Sequence, residues 1–448
     1  MVINAWVGRP AVCGAETVLL ESNASPMRAP VRLPPSTWPE RLVLAALAIA
    51  FALRYPLHFL AGNPFLMDFN VYHLAAQQIA SGQGAALYDF AYSEGMYFKY
   101  APLWAALWLP LAPLAPLHGA VIWTALNTAW VILTCWLCGR IIRRTGLPYP
   151  PWTAALAVVT LVRPLMDLFG NGQVDLWWGG LVLCFLMAEV SGRPWTAALF
   201  LALSITLKLP SAVFLPYLAL TRRRRTAMRT CACLGALLVL GAFAVEPGRP
   251  WHPLMAWLQR LADLGPQQSF RIGDQSLLAL CGRLFSDDTY GLHVAVLSRP
   301  AIVTIAGAVH LALFGLIAWP RRGATTDARL VWDTALLMTL MTLASPSAWL
   351  ATYSTLIFPL CLAIAGAVHA LRTRRSVPAT IAFGALIAAL STATHGSFWK
   401  SIGLRYWNTE SYVYLVFMVI TLLALALFAV LRLQRQRLAG ALPDTSRS

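Results

Sequence analysis

Asp68 opens the run Asp68-Phe69-Asn70-Val71-Tyr72-His73, just beyond the first long apolar stretch of an otherwise overwhelmingly hydrophobic chain. An ionisable side chain at a membrane boundary is costly if buried, about 2.5–3.5 kcal/mol at a helix centre on insertion scales. A carboxylate held there suits a general base that takes the proton of an attacking hydroxyl. The same residue has a structural reading. Aspartate is a preferred helix N-cap, and the pattern predicts a helix over residues 69–81 that ends at Ser81-Gly82. Both readings stand on the local sequence.

The other chemistry-bearing side chains gather toward the same region. His73, Asp89, Glu94, Lys99, Arg271, Asp274, Gln275, Arg283, Lys400, Arg405 and Glu410 fall in polar connections, while Arg54, Arg163, Asp167, Asp175 and Lys208 lie inside or at the ends of apolar spans. Arg54 is about 18 Å along a helix from Leu42, so it must snorkel, pair or bind an anion. Cations converging with few carboxylates suit a phosphate-bearing lipid, to which arginine offers a planar fork and lysine a point charge. Snorkelling accounts for any one of them taken alone.

Several chemistries are excluded. The chain has no GxxxxGK[ST] phosphate loop, no HExxH, no zinc-spaced CxxC pair and no soluble nucleotide-binding domain. It has no Asp-x-Asp pair to hold the metal of a nucleotide-sugar, and the adjacent Asp287-Asp288 reads as a solvated turn. No cofactor or metal is therefore expected. An activated donor for group transfer must already reside in the bilayer, and a polyprenyl-phosphate sugar is one.

These residues must be positioned by membrane helices. Only 12% of the 448 residues are charged and the mean hydropathy is +0.64, against about 25% charged residues in a soluble protein. Apolar stretches recur from residue 42 to residue 431, which predicts an all-α, polytopic integral membrane protein. The net charge of +16 sits in short arginine-rich connections around Arg140, Arg222 to Arg225, Arg321, Arg372 and Arg432. Such loops mark the cytoplasmic side, so the basicity needs no nucleic-acid partner. Most of the eight cysteines lie within apolar spans, and Cys135-Trp136-Leu137-Cys138 reads as a pair of core thiols.

Residues 1–38 read as a disordered cytoplasmic tail or as an upstream extension before a start at Met27. Residues 39–437 form one transmembrane domain, and 438–448 a second cytoplasmic tail. Spans are expected at about 42–60, 118–142, 151–169, 174–190, 230–247, 300–319, 328–345, 347–370, 377–394 and 411–431. Residues 101–117, with four prolines, read as a broken segment on the outer face. Residues 194–220, split at Lys208-Leu209-Pro210, read as a hairpin of two short halves, and broken backbone of that kind needs protein or a cavity to satisfy it. The total is about twelve membrane segments with both termini inside. Outer regions fall at 61–117, 248–299 and 395–410.

The residues also resemble a known family. Asp68-Phe69-x-Val71-Tyr72, Ala75-Ala76, Gly82, Leu87-Tyr88 and Phe98-x-Tyr100-x-Pro102 look like the first outer loop of glycosyltransferase family 87. These are polyprenyl-phosphate-dependent mannosyl- and arabinofuranosyltransferases of the GT-C superfamily. Four further blocks follow in the same order: Gly172-Gln173-Val174, Lys208-Leu209-Pro210, Asp274-Gln275-Ser276-Leu277 with Arg283, and Ser345-Pro346-x-x-Trp349. Together they cover roughly residues 65–360. The family often has Asn-Gln-Ser where this chain has Asp274-Gln275-Ser276, and Tyr-Pro-Pro where it has Tyr100-Ala101-Pro102. A histidine common two or three residues after the tryptophan is replaced by Ala351 and Thr352, leaving His395 or His73 as substitutes.

The resemblance implies a GT-C-type helical bundle whose outer loops carry short interfacial helices. It implies that Asp68 deprotonates an acceptor hydroxyl, which attacks the anomeric carbon with inversion while polyprenyl phosphate departs. Arg54, Lys99, Arg163, Lys208 and Arg271 would then hold the donor phosphate. Tyr72, Tyr100, Gln173, Asp274, Gln275 and Trp349 would contact sugar or acceptor, although aromatic packing explains Tyr72, Tyr88, Tyr100 and Trp349 equally well. The implied partners are a polyprenyl-phosphate sugar, mannose first and arabinofuranose second, a glycan or glycolipid acceptor of the cell envelope, and the bilayer. The implied location is the outer side of a bacterial inner membrane. A flippase for a lipid-linked glycan and an inactive homologue are the alternatives. A transporter often shows paired broken helices, and the single Lys-Pro break argues against that.

Overall fold

The computed structural model describes residues 37–60, 66–93, 96–221, 223–268, 273–287, 292, 294–319, 327–346, 348–373, 383–389 and 418–438. The chain divides into two compact units, Met1–Arg32 and Leu33–Ser448. The first unit lies outside the described residues, as do nearly all of the expected N-terminal tail, the outer region 395–410 and the C-terminal tail.

Among the described residues, five helices are long and apolar enough to cross a membrane: α4 (Pro116–Arg144), α10 (Arg224–Val245), α13 (Arg299–Ala318), the 3-10 turn Leu350–Leu356 continuing into α15 (Ile357–Arg372), and α16 (Val419–Leu438) over Val419–Arg437. Their composition explains them. α4 begins with proline at its first position, carries Arg143 and Arg144 in its last turn, and is followed by Gly146 at φ +77°, the pattern that opens, stabilises and stops a helix. The Leu350–Arg372 helix is 78% buried across its apolar window, so it forms the centre of the bundle. α10 and α13 are 22% buried and form its lipid-facing rim.

The expected count of twelve spans is not confirmed. The stretch expected as one span at 151–169 is two helices, α5 (Trp152–Thr160) and α6 (Val162–Asn171), bent by 68° at Leu161; counted as one span they make six. α7 (Asp175–Val190) has 16 residues and α8 (Pro194–Leu207) has 14. At 1.5 Å per residue these reach about 21–24 Å, short of a 30 Å hydrocarbon core. The Lys208 break is present: α8 stops there, a 3-10 turn spans Leu209–Val213, and α9 (Phe214–Leu220) follows. α14 (Asp327–Ala344) is almost wholly buried beside α15.

α1 (Trp38–Leu60) leads to α2 (Met67–Ala80), and α3 (Pro102–Leu107) begins the proline-broken segment. Between α2 and α3 lies a small antiparallel pair, Ala91–Ser93 with Met96–Tyr97, an exception to the all-α expectation. α11 (Trp251–Gln268) and α12 (Leu277–Phe285) occupy the 248–299 region.

α4 and α7 separate two ends of the bundle. The start of α4 touches α2 through Gly119, and its far end pairs Arg143 with Glu40 at 3.0 Å. At the far end of α7, Glu189 pairs with Arg223 at 2.7 Å, and Arg223 also reaches Asp327 at 3.2 Å. Arg143 and Arg223 therefore lie at the end away from α2.

Candidate active site

Asp68 does not cap its helix. α2 starts two residues earlier than the cap reading requires, the N-cap position is Leu66, and no side chain caps it. The Asp68 carboxylate, in the first turn, instead accepts a hydrogen bond from the Gln173 side chain. That meeting depends on glycine. Gly172 ends α6 in the left-handed region at φ +70°, and a Cβ there would stand 2.7 Å from Phe69 Cβ. Only glycine accepts both the backbone angle and the close approach. Trp123 Nε1 donates to the Gly172 carbonyl at 2.8 Å, and His73 Nε2 lies 3.1 Å from the Leu114 carbonyl, so α2 is held on both sides.

Three further charged groups act on Asp68. Burial raises its pKa above the ordinary carboxylate value, Lys99 and Lys208 pull it down, and Asp175 pushes it up. Desolvation disfavours the charged carboxylate while a neighbouring cation favours it. Lys208 Nζ lies 2.5 Å from Asp175 Oδ1 and 5.5 Å from the centre of the Trp178 ring. The backbone break that presents Lys208 is satisfied internally. Trp178 Nε1 donates to Ser211 Oγ, Ser204 and Ser211 hydroxyls lie 2.7 Å apart, and the Lys208 N–H reaches the Ser204 carbonyl at 2.9 Å. Lys99 is brought to the same place by its own segment. Ala101 N donates to the Thr206 carbonyl at 3.3 Å and Trp104 Nε1 to Thr206 Oγ1 at 3.2 Å, two residues before Lys208.

Tyr72 and Tyr100 are buried, so their ring faces are not open to a sugar. Tyr72 stacks on Trp108 at 4.3 Å and lies against Trp123, and Tyr100 packs edge-on to Phe98. Their hydroxyls meet at 2.9 Å. Both phenols lie within electrostatic reach of Asp68, and burial holds both pKa values well above the ordinary tyrosine range. What the pair offers the site is hydroxyl groups rather than stacking surface.

Asp274 and Gln275 serve a different construction. Asp274 Oδ1 accepts from Ser276 N at 2.9 Å and from Ala348 N at 3.1 Å, its Oδ2 accepts from the Ser276 hydroxyl, and Arg283 donates to its carbonyl. Ser276 caps α12 by accepting from Ala279 N. Gln275 N donates to the Ala348 carbonyl at 2.8 Å, and the Gln275 carbonyl accepts from Tyr353 and Thr421, each at 2.7 Å. This clasp joins the start of α12 to the segment before α15. Burial pushes the Asp274 pKa up to about 7. Among the described residues, the buried Gln275 Oε1 atom has no hydrogen-bond partner.

Trp349, 38% exposed, lies against Gly273 beside the clasp. Asp167 links the clasp to the Asp68 cluster: its Oδ2 accepts from Ala351 N at 3.2 Å, and Arg163, Asp68 and Asp175 are within electrostatic reach. Ala351 and Thr352, at the histidine position, are fully buried. Arg271, His395, Lys400 and Arg405 lie outside the described residues, as does the Arg54 side chain. The structure thus brings Asp68, Lys99, Gln173 and Lys208 together and places Arg163, Asp274, Gln275 and Trp349 in the adjoining cluster. Asp175, to which the sequence assigned no role, is the partner it adds. Its place directly after Gly172-Gln173-Val174 was the available signal, but nothing local links it to residue 208.

A sequence profile for Glycosyltransferase family 87 matches residues 98–346, more than half of the chain. The chain belongs to this family. Asp68 and Tyr72 lie before the matched range and Trp349 after it. Two relatives, from Mycobacterium tuberculosis and Mycolicibacterium smegmatis, are each named as a polyprenol-phosphate-mannose-dependent alpha-(1-2)-phosphatidylinositol mannoside mannosyltransferase. Identity is 29% over 58% of this chain and 66% of the first, and 27% over 42% of this chain and 46% of the second. The matches thus span less than two thirds of either relative's length. Among solved structures, a crystal structure of ArnT from Cupriavidus metallidurans bound to undecaprenyl phosphate aligns over 90% of this chain and 78% of that one. Its 14% identity and TM-score of 0.40 are too low to carry an argument.

Proposed function

We propose that this family 87 protein transfers a sugar, mannose first and arabinofuranose second, from a polyprenyl-phosphate donor to a hydroxyl of an envelope glycan or glycolipid. The observation that carries this reading is that Lys99 and Lys208, from two separate breaks in the chain, lie within electrostatic reach of Asp68 at the start of α2. A base and two cations are what the reaction requires. The acceptor O–H proton passes to the Asp68 carboxylate, the acceptor oxygen bonds the anomeric carbon with inversion, and the bond from that carbon to the phosphate oxygen breaks. The electron pair leaves with polyprenyl phosphate, whose charge Lys99 and Lys208 stabilise. A burial-raised pKa makes Asp68 a stronger base while the two ammonium groups keep it ionised.

The Asp68 end is proposed to face away from the cytoplasm. The support is that Arg143 and Arg223 gather at the opposite end of α4 and α7, as arginine-rich cytoplasmic connections do. The test is transfer by purified protein in proteoliposomes from radiolabelled polyprenyl-phosphate mannose and, in parallel, the arabinofuranose donor. Labelled glycolipid product that depends on Asp68 supports the reading. Donor movement across the bilayer without product would replace it with a flippase, and neither event would leave an inactive homologue.

A further inference from the structure

α11 divides into three sectors at about 100° per residue. Trp251, Met255 and Leu258 share one sector and are 70%, 64% and 52% exposed. His252, Gln259 and Asp263 fill the next and are also exposed. Pro253, Trp257, Arg260 and Leu261 face the protein. A helix with separate apolar, polar and protein-facing sectors fits a boundary where lipid, water and protein meet. Its position agrees. The lipid-facing span α10 ends at Val245, and a Cβ at Gly84 would stand 2.1 Å from the Val245 carbonyl oxygen, so that end is fixed beside the turn after α2. Only residues 246–250 separate it from α11. The exposed α10 residues Leu240 and Phe243 continue in sequence into the Trp251 sector.

The inner sector grips the segment that carries Lys99. Trp257 Nε1 donates to the Lys99 carbonyl at 3.1 Å. Arg260 donates to the Tyr88 carbonyl at 3.0 and 2.6 Å and lies 4.1 Å over the Tyr97 ring. We propose that α11 is a membrane-seated strap: its Trp251-Met255-Leu258 face rests in the lipid surface while Trp257 and Arg260 fix the position of Lys99. Trp257 is then a positioning residue that acts on the donor through Lys99, a role that rests on the function proposed above.

Two measurements on the full chain in phosphatidylethanolamine–phosphatidylglycerol vesicles test this. First, a phospholipid carrying a diazirine near the headgroup end of its acyl chain is photolysed and adducts are mapped by mass spectrometry. Adducts are expected at Trp251, Met255 and Leu258, with Leu240 and Phe243 as positive controls and Gln259 and Asp263 unlabelled. Labelled controls with a clean α11 would overturn the membrane seat. Second, Trp257→Phe keeps the ring and removes the N–H. Amides of residues 98–101 should exchange faster, and KM for polyprenyl-phosphate mannose should rise about 2–10-fold at near-constant kcat, the scale of one neutral hydrogen bond. Unchanged exchange, or faster exchange with unchanged KM, would overturn the positioning role. Absence of transfer by the unsubstituted protein would remove the function proposed above and the donor role of Trp257 with it, while the adduct map would still decide the membrane seat.

Discussion

Lys208 Nζ lies 2.5 Å from Asp175 Oδ1, across the junction between the start of α7 and the break after α8. The pair sits against Asp68, where the lysine favours the ionised base and the aspartate opposes it. Removing one partner therefore has two effects, one on the fold and one on the chemistry, and a double substitution separates them. Lys208→Gln alone leaves the buried Asp175 unpaired and should cost about 3–5 kcal/mol of stability. Lys208→Gln with Asp175→Asn should recover most of that loss in thermal denaturation while sugar transfer stays low. Recovery of transfer by the double variant would show that Lys208 serves only the fold.

Asp68→Asn preserves shape and removes the base. Because Asp68 caps nothing, the substitution should leave expression and Tm close to unchanged, while transfer falls at least about 10²-fold. Near-normal turnover by the purified variant would end the general-base assignment.

The pH profile follows from the signs at Asp68. Transfer needs the ionised carboxylate, so activity should fall with falling pH around a pKa above the ordinary aspartate value of about 3.9. Lys99 lowers that pKa. Lys99→Gln should shift the acid limb of the residual activity to higher pH, and a limb that moved to lower pH would contradict the geometry.

Gly172→Ala tests the seat of α2. The added Cβ meets Phe69 Cβ at 2.7 Å and the backbone holds φ +70°. The conformational cost alone is about 1–2 kcal/mol, and the clash adds to it. Phe69→Ala keeps the offending Cβ, so it should not restore stability in the double variant. Restoration would place the conflict at the ring instead.

Asp274 gives a stability prediction of opposite sense to the usual carboxylate. Its folded pKa of about 7 lies above the unfolded value of about 3.9, so the folded state holds the proton more tightly. Its contribution is full below the unfolded value, declines as pH rises toward 7 and is gone above it. Asp274→Asn should flatten the fall in Tm between pH 5 and pH 8, and an unaltered slope would assign that slope to other groups.

Much of the outline was legible because it rests on local pattern. The apolar runs mark α4, α10 and α13, the proline and lysine at 208–210 mark the break, and Ser81-Gly82 marks the end of α2. The bend at Leu161 was not read from the sequence, although Arg163, Pro164 and Asp167 follow it and Pro164 sits in the first turn of α6, where proline opens a new helix. At the site, Asp68 stood out through its charge. The Asp175–Lys208 pair, the Tyr72–Tyr100 hydroxyl contact and the clasp built on Asp274 join residues 28 to 74 positions apart or bring loops from different elements together. No local spacing encodes such contacts. Asp274 and Gln275 were recognisable as a motif, yet only the fold reveals that the Asp274 carboxylate is occupied by backbone and hydroxyl donors.

The contact between Gly172 and Phe69 sets the distance from Asp68 to Gln173 by the absence of a side chain rather than by any attraction. Excluded volume does not weaken when ions screen charge, whereas the pull of Lys99 and Lys208 on a phosphate does. High ionic strength should therefore loosen the hold on an anionic donor while leaving the base aimed as before, so that salt acts on donor affinity and spares the rate of the bound complex.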